Sequence, residues 1–217
     1  MTTQLNKSFS RRIGKSLSVT QKAAIENLLP TYLLDPNSLP TKKCVAEIGI
    51  GMGEHFINQA RINPDIIHIG FEPYLNGIAN ALLLAQKDGI TNIRLWPDDM
   101  DLIFGKLPDN CLDALYILFP DPWPKNNQKK RRLICNSRLQ TFSTKLCDDS
   151  RMYFASDIED YVNSVEKSLK SSQFFSMIDN PENTPHAGYT QTKYHGKALE
   201  EGRIARFLVA IASFKKT

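Results

Sequence analysis

Apolar runs at 44–48, 66–71, 92–96, 112–118 and 151–155 are separated by stretches whose apolar positions recur at helical spacing, near 53–62, 74–88, 128–147 and 157–170. Short apolar runs bounded by turn residues predict buried strands, and the 3.6-residue recurrence predicts amphipathic helices. Strand alternating with helix at this pace predicts an α/β fold, a mostly parallel sheet with helices on both faces. The pattern changes near the C-terminus. Residues 173–178 and 204–214 both read as strands that pair antiparallel, with 179–195 as the loop between them. Upstream, 20–34 predicts a short helix with Thr20 as a possible N-cap. Pro30, Pro36 and Pro40 punctuate the approach to the first strand. Residues 1–20 show no apolar periodicity, which divides the chain into a basic N-terminal arm, 1–40, and a single domain, 41–217.

Composition narrows the class. Apolar residues make up 41% of the 217 positions and charged residues 23%, the balance of a soluble domain with a substantial core. No run approaches the ~18 apolar residues of a membrane span. The polar, basic start of the chain predicts no secretory signal. Cys44, Cys111, Cys135 and Cys147 have no C-x-x-C spacing and read as small buried hydrophobes in a reducing, cytoplasmic compartment. His55, His68, His186 and His195 are too scattered to predict a metal site.

The first strand ends in Glu47-Ile48-Gly49-Ile50-Gly51-Met52-Gly53 and a helix follows. Glycines permit a tight turn and close approach of a ligand to backbone. The spacing is G-x-G-x-G, with an acid inside the strand. It matches neither the dinucleotide fingerprint G-x-G-x-x-G nor the nucleoside-triphosphate loop. The second strand ends at Phe71-Glu72-Pro73, about twenty residues on, where an acid can accept both ribose hydroxyls of an adenosine. Glu72 has a plainer reading, as a carboxylate capping the next helix. The third strand leads to Trp96-Pro97-Asp98-Asp99, where an acid can accept from the adenine amine. Acid-rich ends on three successive strands, without a phosphate-binding lysine, point to an adenosine cofactor lacking phosphate. S-adenosylmethionine fits.

The fourth strand runs into Phe119-Pro120-Asp121-Pro122-Trp123-Pro124-Lys125 and then Asn126-Asn127-Gln128-Lys129-Lys130-Arg131-Arg132. Prolines stiffen this loop and block helix until about Gln128. Net charge is only +4, yet residues 125–138 hold six cationic side chains and no acid, and residues 1–43 carry a balance of +5. Two basic segments beside a rigid acid–indole loop suit a polyanion. Lys129, Lys130, Arg131 and Arg132 are expected on phosphates, which position without reading sequence. Trp123 either stacks on a base or caps the core.

Over roughly residues 40–214 the chain resembles the bacterial tRNA (guanine-N7-)-methyltransferase family. The likeness rests on Glu47-Ile48-Gly49-x-Gly51-Met52-Gly53, Gly70-x-Glu72, Asn92-x-Arg94, Phe119-Pro120-Asp121-Pro122-Trp123-x-Lys125 with Lys130-Arg131-Arg132, Ala155-Ser156-Asp157 and Thr192-Lys193-Tyr194. It implies a Rossmann-like class I methyltransferase that transfers a methyl group from S-adenosylmethionine to guanine N7 in the tRNA variable loop, as a monomer or homodimer without metal or membrane. It also implies that Glu47, Gly49, Gly51, Gly53, Glu72 and Asp99 hold the cofactor, with Asp98 able to replace Asp99. Asp121 is expected at the junction of cofactor and guanine, as the catalytic acid. Lys125, Asp157, Thr192, Lys193, Tyr194 and His195 are expected on the substrate. Two departures stand out: His195 replaces a usual Glu, and Pro73-Tyr74-Leu75-Asn76-Gly77 replaces a histidine followed by Pro-Gly. Three other readings compete: a methyltransferase for a small molecule or protein, a non-catalytic RNA-binding protein on this fold, and a dinucleotide-dependent oxidoreductase. The basic segments, the intact acids and the glycine spacing count against them in turn.

Overall fold

The computed structural model describes residues 16–40 and 44–213. Seven strands, β1 (Cys44–Ile48), β2 (Ile67–Phe71), β3 (Ile93–Trp96), β4 (Leu112–Leu118), β5 (Leu146–Ser156), β6 (Phe175–Ile178) and β7 (Arg206–Ala212), form one sheet in the order β3-β2-β1-β4-β5-β7-β6. The first five are parallel; β7 runs antiparallel to both β5 and β6. All five residues of β1 are buried, as expected of a central parallel strand covered on both faces. Helices α3 (Glu54–Ile62), α4 (Leu75–Asp88), α5 (Asn136–Lys145) and α6 (Glu159–Lys170) make the crossovers. The main core contains Phe71, Phe104, Phe142, Phe154 and Tyr161, and a second cluster beneath α3 and α4 contains Phe56, Ile78 and Leu82.

Strand order reverses between β1 and β4. Crossovers diverge to opposite faces there, which opens a crevice at the carboxyl ends of the strands. That crevice receives the glycine turn, the ends of β2 and β3 and the proline-rich loop.

Several expectations need correction. The first helix, α1 (Val19–Asn27), starts two residues earlier than a cap at Thr20 implies. Ser18 is its N-cap, in a capping box with Gln21. α1 and the short α2 (Leu29–Tyr32) pack into the domain: Ala24 and Leu34 are buried, and Leu33 bridges to Leu95. Residues 16–40 are therefore built into the core, while 1–15 of the expected arm lie outside the described residues. The helix read over 128–147 divides. Asn126–Arg131 is a 3-10 stretch and α5 begins only at Asn136, because Arg132 through Cys135 run extended to bury Leu133 and Ile134. β5 is longer than 151–155, since its first half pairs at Leu146 before a register shift. The loop read over 179–195 ends in a helix, α7 (Lys193–Glu200), capped by Thr192. Apolar periodicity is weak there: Ala198 is its one buried residue, while Leu199 is exposed.

Candidate active site

The turn after β1 places Gly49, Gly51 and Gly53 at φ of 80°, 57° and 86°, in the left-handed region. This conformation is cheap only for glycine. It folds the backbone so that the amide of Gly51 points at β2, where it donates to Glu72 Oε2 at 2.9 Å. The other Glu72 oxygen accepts from Tyr74 N at 2.9 Å, at the start of α4. Both plain and functional readings of Glu72 are thus compatible: it caps the helix start and ties the glycine turn, and each oxygen keeps a lone pair for a further donor. Gly77 ends the segment that departs from the family's usual sequence after Glu72. A Cβ there would lie 2.1 Å from the carbonyl oxygen of Gly51, so helix and turn touch only because this residue has no side chain.

A cavity of about 630 Å³ opens over this turn. Its walls include Gly49, Gly51, Glu72, Asp98, Asp121, Trp123, Lys193 and Tyr194. Of the two acids after β3, Asp98 reaches the cavity. Asp99 is 3% exposed and accepts from Asp101 N at 3.0 Å, which makes it the cap of a 3-10 turn. Burial raises the Glu72 pKa to about 7, with smaller contributions from the negative charges of Asp121 and Glu47, against the lowering effect of the two backbone donors. Asp121 and Glu72 are thus near enough to feel each other across the cavity.

The proline-rich loop leaves β4 through two residues in the left-handed region, Phe119 at φ 52° and Trp123 at φ 43°. Non-glycine residues there are strained, and such strain persists where the surroundings over-determine it. Phe119 N donates to Ala155 O at 2.8 Å, and its ring stacks on His195 with centroids 5.3 Å apart. Trp123 lies on the cavity wall beneath the Arg131 guanidinium, 5.0 Å from its ring centroid. It therefore lines the site rather than capping the core.

The basic run does not act as one unit. Arg132 is 6% exposed; its Nε donates to Pro122 O at 2.9 Å and its Nη2 to Asp160 at 2.5 Å, with the guanidinium over the Tyr161 ring. It braces the loop and is removed from the expected phosphate contacts, because burial and pairing take its charge from the surface. Lys129 pairs with Asp160 at 2.9 Å. Lys125 and Lys130 are exposed, and Arg131 is on the cavity wall.

On the far side, Asp157 is held by Arg203 Nε at 2.6 Å. Lys193 and Tyr194 line the cavity. Thr192 caps α7 through the amide of His195, whose Nδ1 faces Tyr189 OH at 2.9 Å. His195 is thus a packing residue between Phe119 and Tyr189, and burial lowers its pKa. Glu47 is not on the cavity wall. Its carboxylate is 2.7 Å from His55 Nδ1, inside the protein. Residues Ser16 to Ser18 and Gln21 also line the cavity and were missed from sequence. No periodic signal marks them, because only the packing of α1 on α4 brings them there. Among the described residues no group of acids, histidines and cysteines could hold a metal, and no helix is long and apolar enough to cross a membrane.

Residues 41–207 match a protein-family model described as "Putative methyltransferase". The chain is 50% identical over 208 residues to a "Bifunctional methyltransferase" of Rickettsia felis, covering 94% of this chain and 40% of that protein. It therefore spans less than half the length of such Rickettsia relatives. It is 36% identical to a "tRNA (guanine-N(7)-)-methyltransferase" of Chelativorans sp., covering 94% of both. A solved structure of the 16S rRNA (adenine(1408)-N(1))-methyltransferase of Catenulisporales acidiphilia aligns with a TM-score of 0.56 at 14% identity, over 85% of this chain and 94% of that one, a likeness of fold.

Proposed function

Since the chain belongs to the tRNA (guanine-N7-)-methyltransferase family, we propose that it transfers a methyl group from S-adenosylmethionine to N7 of a guanine in the variable loop of tRNA. One observation carries the reading: a single cavity is walled by the glycine turn and Glu72 on one side and by Asp121 and Trp123 on the other. A volume near 630 Å³ suits an adenosine cofactor with room for an incoming base edge. The residues also fit the cofactor chemically. Glu72 retains acceptor capacity for a ribose diol, and Asp98 offers a carboxylate for the adenine amine.

When bound, the cofactor supplies an electrophilic methyl group on a sulfonium. Guanine N7 carries an in-plane lone pair, so no proton has to leave before attack. The protein's work is alignment and exclusion of water, which in favourable cases lowers a barrier by about 7–11 kcal/mol. Asp121, held between two prolines on a strained loop, accepts from the guanine N1–H and amine edge and offsets the positive charge that develops on the ring. It needs no role as a base. Trp123 offers a face for stacking, with Arg131 behind it. Lys125, Lys130 and Arg131 attract the phosphate backbone on the same rim. Lys193 and Tyr194 close the cavity from the opposite wall, and Ser16 to Ser18 complete its lining. Mass spectrometry of nucleosides from tRNA incubated with the protein and labelled methyl donor tests the reading. Label in 7-methylguanosine is expected, and label in any other nucleoside overturns the regiochemistry.

A further inference from the structure

Behind the glycine turn, away from the cavity, lies a buried chain of polar groups that the reaction does not use. His55, in the first turn of α3, is 1% exposed. Its Nδ1 is 2.7 Å from Glu47 Oε2 on β1, and its Nε2 is 2.9 Å from His186 Nε2 on the segment between β6 and α7. His186 Nδ1 is in turn 2.9 Å from the carbonyl oxygen of Ala187.

The geometry fixes the protons. A carbonyl only accepts, so His186 Nδ1 carries hydrogen. Burial lowers the His186 pKa to about 4, so near neutral pH its ring is neutral and Nε2 presents a lone pair. His55 Nε2 must therefore donate to it. That leaves His55 Nδ1 facing a carboxylate oxygen, a contact that forms only with a proton between them. Other titratable groups face this chain from each neighbouring element: His68 on β2, whose pKa is lowered by burial and by His55, Tyr116 on β4, and Tyr153 on β5. Tyr189 lies against both imidazoles and hands on to His195. Burial pushes Tyr116 and Tyr189 up, so both remain neutral donors.

The same segment is fastened to α3 twice more. Gly188 O accepts from Gln59 Nε2 at 2.7 Å and from Asn58 Nδ2 at 3.1 Å. Four residues beyond Gly188 the chain reaches the Thr192 cap, and then the cavity-wall residues Lys193 and Tyr194.

We propose that Glu47, His55 and His186 form a hydrogen-bonded tether that positions the 189–195 segment over the cavity, with His186 as a positioning residue for the nucleic-acid substrate. Glu47 thereby serves the substrate side through the core, and the helix that follows the cofactor turn sets the placement of the opposite wall.

The kinetic consequence rests on the methyl-transfer reading; the protonation pattern does not, so the two fail separately. Imidazole nitrogen NMR on histidine-labelled wild-type protein at neutral pH should show His186 protonated at Nδ1 alone. It should also show His55 protonated at Nε2, with a strongly deshielded proton between His55 and Glu47. His186 protonated at Nε2, or no proton on the His55–Glu47 contact, overturns the tether. In the second arm, His186→Phe keeps the aromatic packing against Tyr116 and Tyr153 but leaves the His55 donor buried without an acceptor. We expect the KM for tRNA to rise about tenfold while S-adenosylmethionine affinity stays within about twofold. His186→Gln, whose amide oxygen can accept from His55, should recover most of the loss. Equal impairment of both variants, an unchanged KM in the Phe variant, or a parallel loss of cofactor affinity refutes a positioning role. Absence of methyl transfer by the wild-type protein would count against the functional reading and leave the NMR result to judge the tether.

Discussion

Cofactor affinity should depend on pH through Glu72. Its carboxyl is 8% exposed, and burial raises its pKa to about 7, so close to half of the free protein carries it protonated near neutral pH. Ribose hydroxyls donate to the carboxylate, and a protonated carboxyl gives up acceptor capacity on one oxygen. Binding therefore favours the ionised form and expels the proton. With a pKa near 7, the ionised fraction is about one in eleven at pH 6 and about ten in eleven at pH 8. The dissociation constant should tighten about tenfold across that interval, equivalent to ~1.4 kcal/mol. The probe is 5′-methylthioadenosine, which carries the ribose diol without the titrating amino-acid end. Calorimetry at pH 6 in two buffers of different ionisation enthalpy should show close to one proton released per ligand bound, and little release at pH 8. Glu72→Gln should weaken binding by about 1.5–3 kcal/mol and flatten the profile. An affinity that stays level from pH 6 to pH 8 in the wild type, or the same slope in the Gln variant, would remove Glu72 from the ribose site.

The raised pKa also bears on folding. A carboxyl that binds its proton more tightly when folded contributes stability below its unfolded pKa of about 4.5, and that contribution is lost as pH rises through about 7. Glu72→Gln should therefore raise the apo Tm relative to wild type at pH 8 more than at pH 5. Gly77→Ala drives a Cβ against the backbone of the glycine turn and should cost about 1–3 kcal/mol, read by denaturant unfolding, together with cofactor binding. Lys130→Ala should leave stability unchanged and lower the salt slope of tRNA binding by roughly 0.7–0.9 if it contacts one phosphate. Arg132→Ala should instead lower the Tm, because it removes the brace between Pro122 and Asp160. Asp121→Ala should bind tRNA normally and lose roughly 100-fold or more in single-turnover methyl transfer; a normal rate removes it from the centre of the mechanism.

The alternation of apolar runs by itself determined the parallel core. A strand covered on both faces is mostly apolar, so β1, β2 and β4 stand out as apolar runs even though Glu47, His68 and Asp113 interrupt them. The glycine turn was equally legible, since three positive φ values in five residues leave few alternatives to glycine. The Pro-Asp-Pro-Trp loop could be read as rigid because proline fixes φ wherever it occurs. Other features are set by contacts between distant residues, which no local pattern encodes. Asp98 and Asp99 are neighbours of the same type, and only the turn at Met100 decides which faces the cavity and which is buried. Four consecutive cations look alike in sequence, yet Asp160 and Tyr161 on α6 draw Arg132 inward and leave Lys130 outside. The entry of Ser16 to Ser18 into the cavity depends on how α1 docks on α4. His55 and His186, 131 residues apart, become partners only because α3 and the segment before α7 meet behind the turn. Sequence determines what a segment can bury and how its backbone can bend; which side chain fills a given position in the site depends on the elements that pack around it.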